Sequence, residues 1–146
     1  MGMCLQIRNR LSPSQQSAML LSLHPQFKVV ARGRRYVWRG TLQPMPMSDI
    51  YKVCMSFELS EPPRVVVVDP PLRKRGGEAI PHLYADGHLC LYTPGGWSSR
   101  DYIASTIVPW TATWLFYYEM WHATGEWLGE GEHPANKSRL ENNGDD

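Results

Sequence analysis

The chain's reactive side chains concentrate in one short stretch, Pro81-His82-Leu83-Tyr84-Ala85-Asp86-Gly87-His88-Leu89-Cys90-Leu91. At its end a cysteine, Cys90, stands between two leucines. A free thiol is already a few per cent thiolate at neutral pH and is intrinsically very nucleophilic, so passing an acyl group from one activated ester to another needs no dedicated base. What such a step does need is a hydrogen-bond donor aimed at the oxyanion of the tetrahedral intermediate. Asp86-Gly87 is a turn pair that would present the cysteine, and Tyr84 reads as packing that holds the loop. His88 lies two residues from Cys90, where an extended backbone puts both side chains on one face. There it could assist deprotonation of an incoming group or simply face solvent.

The chain has two more cysteines, Cys4 and Cys54. Three in all, widely spaced, speak against a disulfide framework and for free thiols in a reducing compartment. The N-terminal residues 1–10 contain no apolar run suited to a signal peptide, and no stretch offers the roughly 18 uncharged apolar residues of a membrane helix. A cytoplasmic protein is therefore expected. With 146 residues, 42% of them hydrophobic, one domain with one core fits and a second does not. Net charge is only +1, but residues 1–75 carry 12 basic and 4 acidic side chains while the remainder carries 3 and 10. The basic residues are scattered singly along expected strands and turns, a pattern of solvated faces rather than a nucleic-acid footprint.

The elements that must position the cysteine can be read from pattern. Ser12-Pro13-Ser14-Gln15 is a helix start, with Ser12 as cap, Pro13 at the first helical position and Gln15 reaching back; the helix should run through Leu23. Phe27 to Ala31, a turn at Arg32-Gly33-Arg34, and Tyr36 to Leu42 form an expected hairpin, ended by Pro44 and Pro46. Tyr51 to Leu59 alternates strictly, so Cys54 falls on the polar face as a spectator. After Pro62-Pro63-Arg64, the run Val65 to Val68 suits a strand buried on both faces. Four successive strands imply an antiparallel meander in an α+β fold. Asp69 to Trp97, rich in proline and glycine, reads as a long active-site loop. Ser98, with Asp101 three residues on, can cap a following helix, and Pro109 would kink that helix or open another. Trp110, Trp114, Tyr117 and Trp121 then recur at helical spacing up to a stop near Gly125, a stripe expected to be core. The domain should occupy 1–128, and 129–146 forms an acid-rich tail expected to be disordered.

The string Tyr84-x-Asp86-Gly87-x-Leu89-Cys90-Leu91 resembles the active-site segment of ubiquitin-conjugating enzymes, where Tyr-x-Asp-Gly-x-Val/Ile-Cys-Leu surrounds the thioester cysteine. Pro62-Pro63-x-Val65 resembles the entry to that family's fourth strand, and Trp97-Ser98 resembles the Trp-Ser that opens the helix after the cysteine. The resemblance spans Ser12 to Gly125 and implies the family's UBC-like fold: an N-terminal helix, a four-stranded meander, an active-site loop and C-terminal helices. It makes Cys90 the acyl carrier. The family's His-Pro-Asn triplet aligns with Ile80, Pro81 and His82, so His82 stands where the oxyanion-binding asparagine is expected and inherits that role; otherwise it ties the loop to a backbone carbonyl. A segment from Leu72 to Glu78 that looks inserted, and the tryptophan-rich C-terminal part, are more similar to bacterial conjugating-enzyme relatives of CBASS antiphage operons. That subgroup implies a protein substrate, the C-terminus of a CD-NTase-type nucleotidyltransferase that makes cyclic oligonucleotides.

Other readings use the same residues. His82, His88, Cys90, His122 and His133 are all zinc-ligand types, but no paired Cys-x-x-Cys or His-x-x-x-His unit is present. A cysteine protease or deconjugase would also form a thioester, and a non-catalytic adaptor could use the same fold. Leu72-Arg73-Lys74-Arg75-Gly76-Gly77 resembles the tail of ubiquitin, yet it is internal and reads as a flexible basic loop. The sequence has no nucleotide-binding loop, so any adenylation must come from an activating enzyme in trans, or the thioester must arise on the partner by another route; no cofactor or metal is expected.

Overall fold

The computed structural model describes residues 9–129. Cys4, His133 and all of the expected acidic tail except Gly129 lie outside the described residues. Helix α1 (Pro13–Leu23) starts at the capping box expected from sequence. The Ser12 hydroxyl accepts the Gln15 N–H at 3.2 Å, and the Gln15 carboxamide oxygen accepts the Ser12 N–H at 2.8 Å. Proline at the first helical position costs nothing there, because that N–H has no intrahelical acceptor.

Strands β1 (Lys28–Ala31), β2 (Arg35–Leu42), β3 (Tyr51–Glu58) and β4 (Glu61–Asp69) form one antiparallel sheet in sequential order. Gly33, at φ 113°, makes the β1–β2 turn in a conformation that favours glycine. Along β3 the alternation seen in the sequence becomes a burial pattern: Tyr51, Val53, Met55 and Phe57 point inward, while Lys52 and Cys54 point outward. Leu59 drops out of the stripe because the chain has already turned, leaving it exposed. The basic residues Lys28, Arg35, Arg39, Lys52 and Arg64 are exposed side chains of this sheet, as expected for solvated faces.

β4 corrects one expectation. Its valine run is not covered on both sides: Val65 is buried, but Val68 is 46% exposed. The reason is topological, since β4 is an edge strand of a sheet covered on one face. Edge position also explains how Pro62 and Pro63 can lie inside a strand, where an inner strand would lose ladder hydrogen bonds.

The C-terminal part differs from expectation as well. Ser98 and Asp101 do make reciprocal cap-like contacts, with the Ser98 N–H donating to Asp101 Oδ2 at 3.0 Å. They close only a turn, which leads to a short 3₁₀ turn (Ile103–Ser105) and then, among the described residues, to one helix, α2 (Ile107–Thr124). Pro109 falls in the first turn of α2, so it opens this helix rather than kinking an earlier one. Gly125 ends α2 in the left-handed conformation, φ 82°.

Buried side chains of α1, the inner sheet face, the 3₁₀ turn and α2 make one core, including Leu20, Trp38, Phe57, Ile103, Leu115 and Trp121. Polar ties fix the layers. Buried Gln16 donates from Nε2 to the Asp101 carbonyl at 2.8 Å and accepts the Ile103 N–H at 2.9 Å, joining α1 to the 3₁₀ turn. Trp38 Nε1 donates to Ser17 Oγ at 2.9 Å, joining the sheet to α1.

Among the described residues, no helix is long and apolar enough to cross a membrane. The Leu72–Gly77 segment, expected to be a flexible loop, is held against α2. The Arg73 N–H donates to the Tyr118 hydroxyl at 2.9 Å, His122 Nε2 contacts the Arg73 carbonyl at 2.9 Å, and Arg75 Nε donates to the His122 carbonyl at 3.3 Å. Backbone groups that would otherwise face solvent have found partners, and the segment is structural.

Candidate active site

Between β4 and the 3₁₀ turn the chain has no regular element, and only two isolated bridges, Arg75↔Glu78 and Leu83↔Leu89, give it β geometry. The second bridge creates the site. Tyr84 and His88 close it through an N–H to carbonyl bond of 3.0 Å, and the Gly87 N–H donates to the Tyr84 carbonyl at 2.9 Å, with Gly87 at φ 92°. Asp86-Gly87 is therefore the turn that its composition indicated. Leu89 and Leu91 are buried on either side of Cys90, and the Leu89 N–H donates to the Val65 carbonyl of β4 at 2.9 Å. This burial anchors the backbone and leaves the intervening Cys90 side chain half-buried at the surface.

His82 sits across the strand pair. Its carbonyl accepts the Cys90 N–H at 2.9 Å and the Trp114 indole N–H at 3.0 Å. Its backbone is left-handed, φ 53°, a conformation in which asparagine, aspartate and histidine are enriched among non-glycine residues. His82 lines a narrow cleft, with room for about one water molecule, together with Cys90, Leu91, Trp110, Thr113, Trp114, Tyr117 and Trp127. Trp127 packs on it with ring centroids 5.2 Å apart, and stands edge-on to Trp114 at 5.3 Å. The tryptophan stripe is thus core as expected, with Trp114 and Trp121 buried, but its Trp110–Trp114–Tyr117 portion also walls the cysteine's cleft.

On the other flank, the Tyr84 ring stacks on His88 with centroids 4.4 Å apart and planes 26° from parallel. His88 Nδ1 hydrogen-bonds the Asp86 carboxylate, which also accepts the His88 N–H at 3.2 Å and faces Arg64 at 3.7 Å. These contacts hold the Asp86 carboxyl below the usual range, the His88 backbone N–H first among them. The neighbouring Cys90 side chain, more than burial, holds the Tyr84 phenol above its ordinary pKa. Tyr92, whose hydroxyl donates to the Pro63 carbonyl at 3.2 Å, is pushed up to about 12, chiefly by burial.

The family model for Type II CBASS E2 proteins (E2-CBASS) matches residues 16–134. The chain belongs to the Type II CBASS E2 family. A comparison with curated proteins finds no match. Membership makes this chain an E2-like protein of CBASS antiphage systems, working with other proteins of such a system.

In this CBASS E2, the residues singled out by sequence, Cys90 and His82, line one cleft. His88 lies on the opposite flank, turned to Asp86 and Tyr84. His122 is committed to the Arg73 carbonyl, away from the histidines of the loop. Among the described residues, no three of His, Cys, Asp or Glu are grouped to hold a metal ion. Cys54 lies on β3 opposite Arg39 and Val66, outside the site. Sequence reasoning missed one contributor to the cleft: Trp127, which follows the helix stop and has no periodic signal.

Proposed function

We propose that Cys90 carries the C-terminal carbonyl of a partner protein as a thioester, and that the partner is the CD-NTase-type nucleotidyltransferase of the same CBASS operon. The observation that carries the reading is the placement of a half-buried cysteine, held by its own N–H to the His82 carbonyl, in a cleft that His82 also lines, within an E2-family chain. The order of elements and the Cys90 motif fit the ubiquitin-conjugating fold.

In the step proposed, the Cys90 sulfur attacks the carbonyl of an activated C-terminus. The S–C bond forms, the activating group leaves with its electron pair, and the thiol proton passes to solvent. His82 donates a ring N–H to the oxyanion of the tetrahedral intermediate, a contribution of about 3 to 4 kcal/mol in well-organised acyl-transfer sites. Apolar Leu91 and the tryptophan wall keep bulk water away from that face, which strengthens the hydrogen bond. Activation is supplied in trans, and the reducing cytoplasm keeps the thiol free.

Mixing the protein with the operon's nucleotidyltransferase, and with its activating enzyme where one is encoded, is expected to give an adduct that reducing agent releases. Cys90→Ser is expected to give none, or a reductant-resistant ester. An unchanged adduct in Cys90→Ala would overturn the assignment, and rapid hydrolysis instead of accumulation would mark a deconjugase.

A further inference from the structure

We infer that Trp127 is the gate of this site: it closes the cleft beside Cys90, and turning its ring into the groove on its far side opens a channel to the thiol. What the channel admits, the C-terminal segment of the carried protein, rests on the proposed role of Cys90.

Two spaces meet at this residue. On one side is the cleft of Cys90 and His82, with room for about one water molecule. A peptide terminus reaching Cys90 from that side has nowhere to lie. On the other side is an open groove of about 440 Å³ whose lining includes Pro81, Trp121 and Leu128. Among the described residues, Trp127 alone lines both. The partition between them is thus one side chain.

The backbone around that side chain is anchored. The Gly125 N–H donates to the Trp121 carbonyl at 2.8 Å and the Glu126 N–H to Thr124 Oγ1 at 3.1 Å, which fixes the chain just before it. Just after it, Gly129 lies so close to the Tyr117 ring that a Cβ there would collide. Between these anchors the half-buried indole packs on three rings, His82 at 5.2 Å, Trp114 at 5.3 Å and Tyr117 at 6.2 Å. Among the described residues, no hydrogen bond fastens its N–H. The motion available is therefore a change of rotamer rather than a movement of the chain.

Turned the other way, the ring finds apolar partners again in Pro81, Trp121 and the exposed Leu128. Two apolar seats for one ring make a two-state element, and a peptide that fits only the opened cleft shifts it toward the open state. Opening also uncovers His82, on which Trp127 packs in the closed state.

The test compares alkylation of Cys90 by iodoacetamide and by iodoacetanilide, the same electrophile without and with a phenyl ring, read by mass spectrometry of the Cys90 peptide. Wild type, Trp127→Phe and Trp127→Ala are measured, with the free Cys54 of the same molecules as reference for intrinsic reactivity. The larger reagent needs the open state, so its rate scales with the open fraction. Trp127→Ala is expected to raise the iodoacetanilide-to-iodoacetamide ratio at Cys90 about 10-fold, with no change at Cys54. Trp127→Phe, which keeps a ring on His82 should alanine loosen the fold, is expected to raise it by less. A ratio unchanged in both variants, with thermal unfolding still cooperative, overturns the gate, and so does an equal fall in both rates, the mark of a fixed wall. Alkylation needs no partner protein. A raised ratio without any partner adduct would therefore sink only the proposed function, and an adduct with an unchanged ratio would sink only the gate.

Discussion

The carbonyl of His82 accepts the peptide N–H of Cys90 at 2.9 Å, so the oxyanion donor inferred for this site and its nucleophile are fastened by a single backbone hydrogen bond. A shift of either residue moves the other. The left-handed backbone of His82 turns its carbonyl toward both Cys90 and Trp114.

His82 can therefore be dissected. Asparagine tolerates the left-handed region and carries an N–H donor, whereas alanine has neither property. His82→Asn is expected to retain most of the rate of adduct formation, and His82→Ala to lose about 100-fold or more. Initial rates with the partner protein, read beside thermal unfolding, check this; a fast, folded alanine variant would remove His82 from the chemistry.

Gln16 joins α1 to the 3₁₀ turn from a fully buried position. Truncation strands the Ile103 N–H and the Asp101 carbonyl in the core. Gln16→Ala is expected to cost about 1 to 3 kcal/mol in urea unfolding.

At Gly40, a Cβ would lie 2.4 Å from the Phe27 ring. Gly40→Ala is expected to destabilise by about 1 to 3 kcal/mol through overpacking. Pairing it with Phe27→Leu should recover part of that loss, and simple additivity in the double-mutant cycle would contradict the contact.

Acid should weaken the hairpin through Asp86. Its folded pKa is depressed, most by the His88 backbone N–H, so its stabilising contribution is present above the unfolded value of about 4 and is lost as pH falls through the folded one. The stability difference between wild type and Asp86→Ala, measured by urea titration, is expected to be constant near neutrality and to shrink from pH 4 downward. A difference that persists at pH 2 would point to packing instead.

Local chemistry was legible from residue order. The Ser12 cap, the strict alternation of Tyr51 to Phe57, the Asp86-Gly87 turn and the Gly125 stop each depend on interactions within a few residues, and each appears as read. The cysteine motif was legible for the same reason, since its frame is contiguous. Ser98 misled because a capping pair closes a turn equally well, and the residues after it are drawn into the core by Ile103 and Ala104 before an α-helix can begin.

Other features belong to the tertiary structure alone. Val65 to Val68 has the composition of an inner strand, and only its place at the sheet edge exposes Val68. Leu72 to Gly77 looks mobile until α2 supplies partners for its backbone. The cleft joins Cys90 to tryptophans 20 to 37 residues further on, and His82 comes beside Cys90 only once the Leu83–Leu89 bridge has closed. Sequence by itself determined the cysteine motif and most of the elements around it, because those follow from near neighbours. Which groups surround Cys90 was decided by the packing of α2 and the hairpin, since contacts between distant segments depend on the whole core.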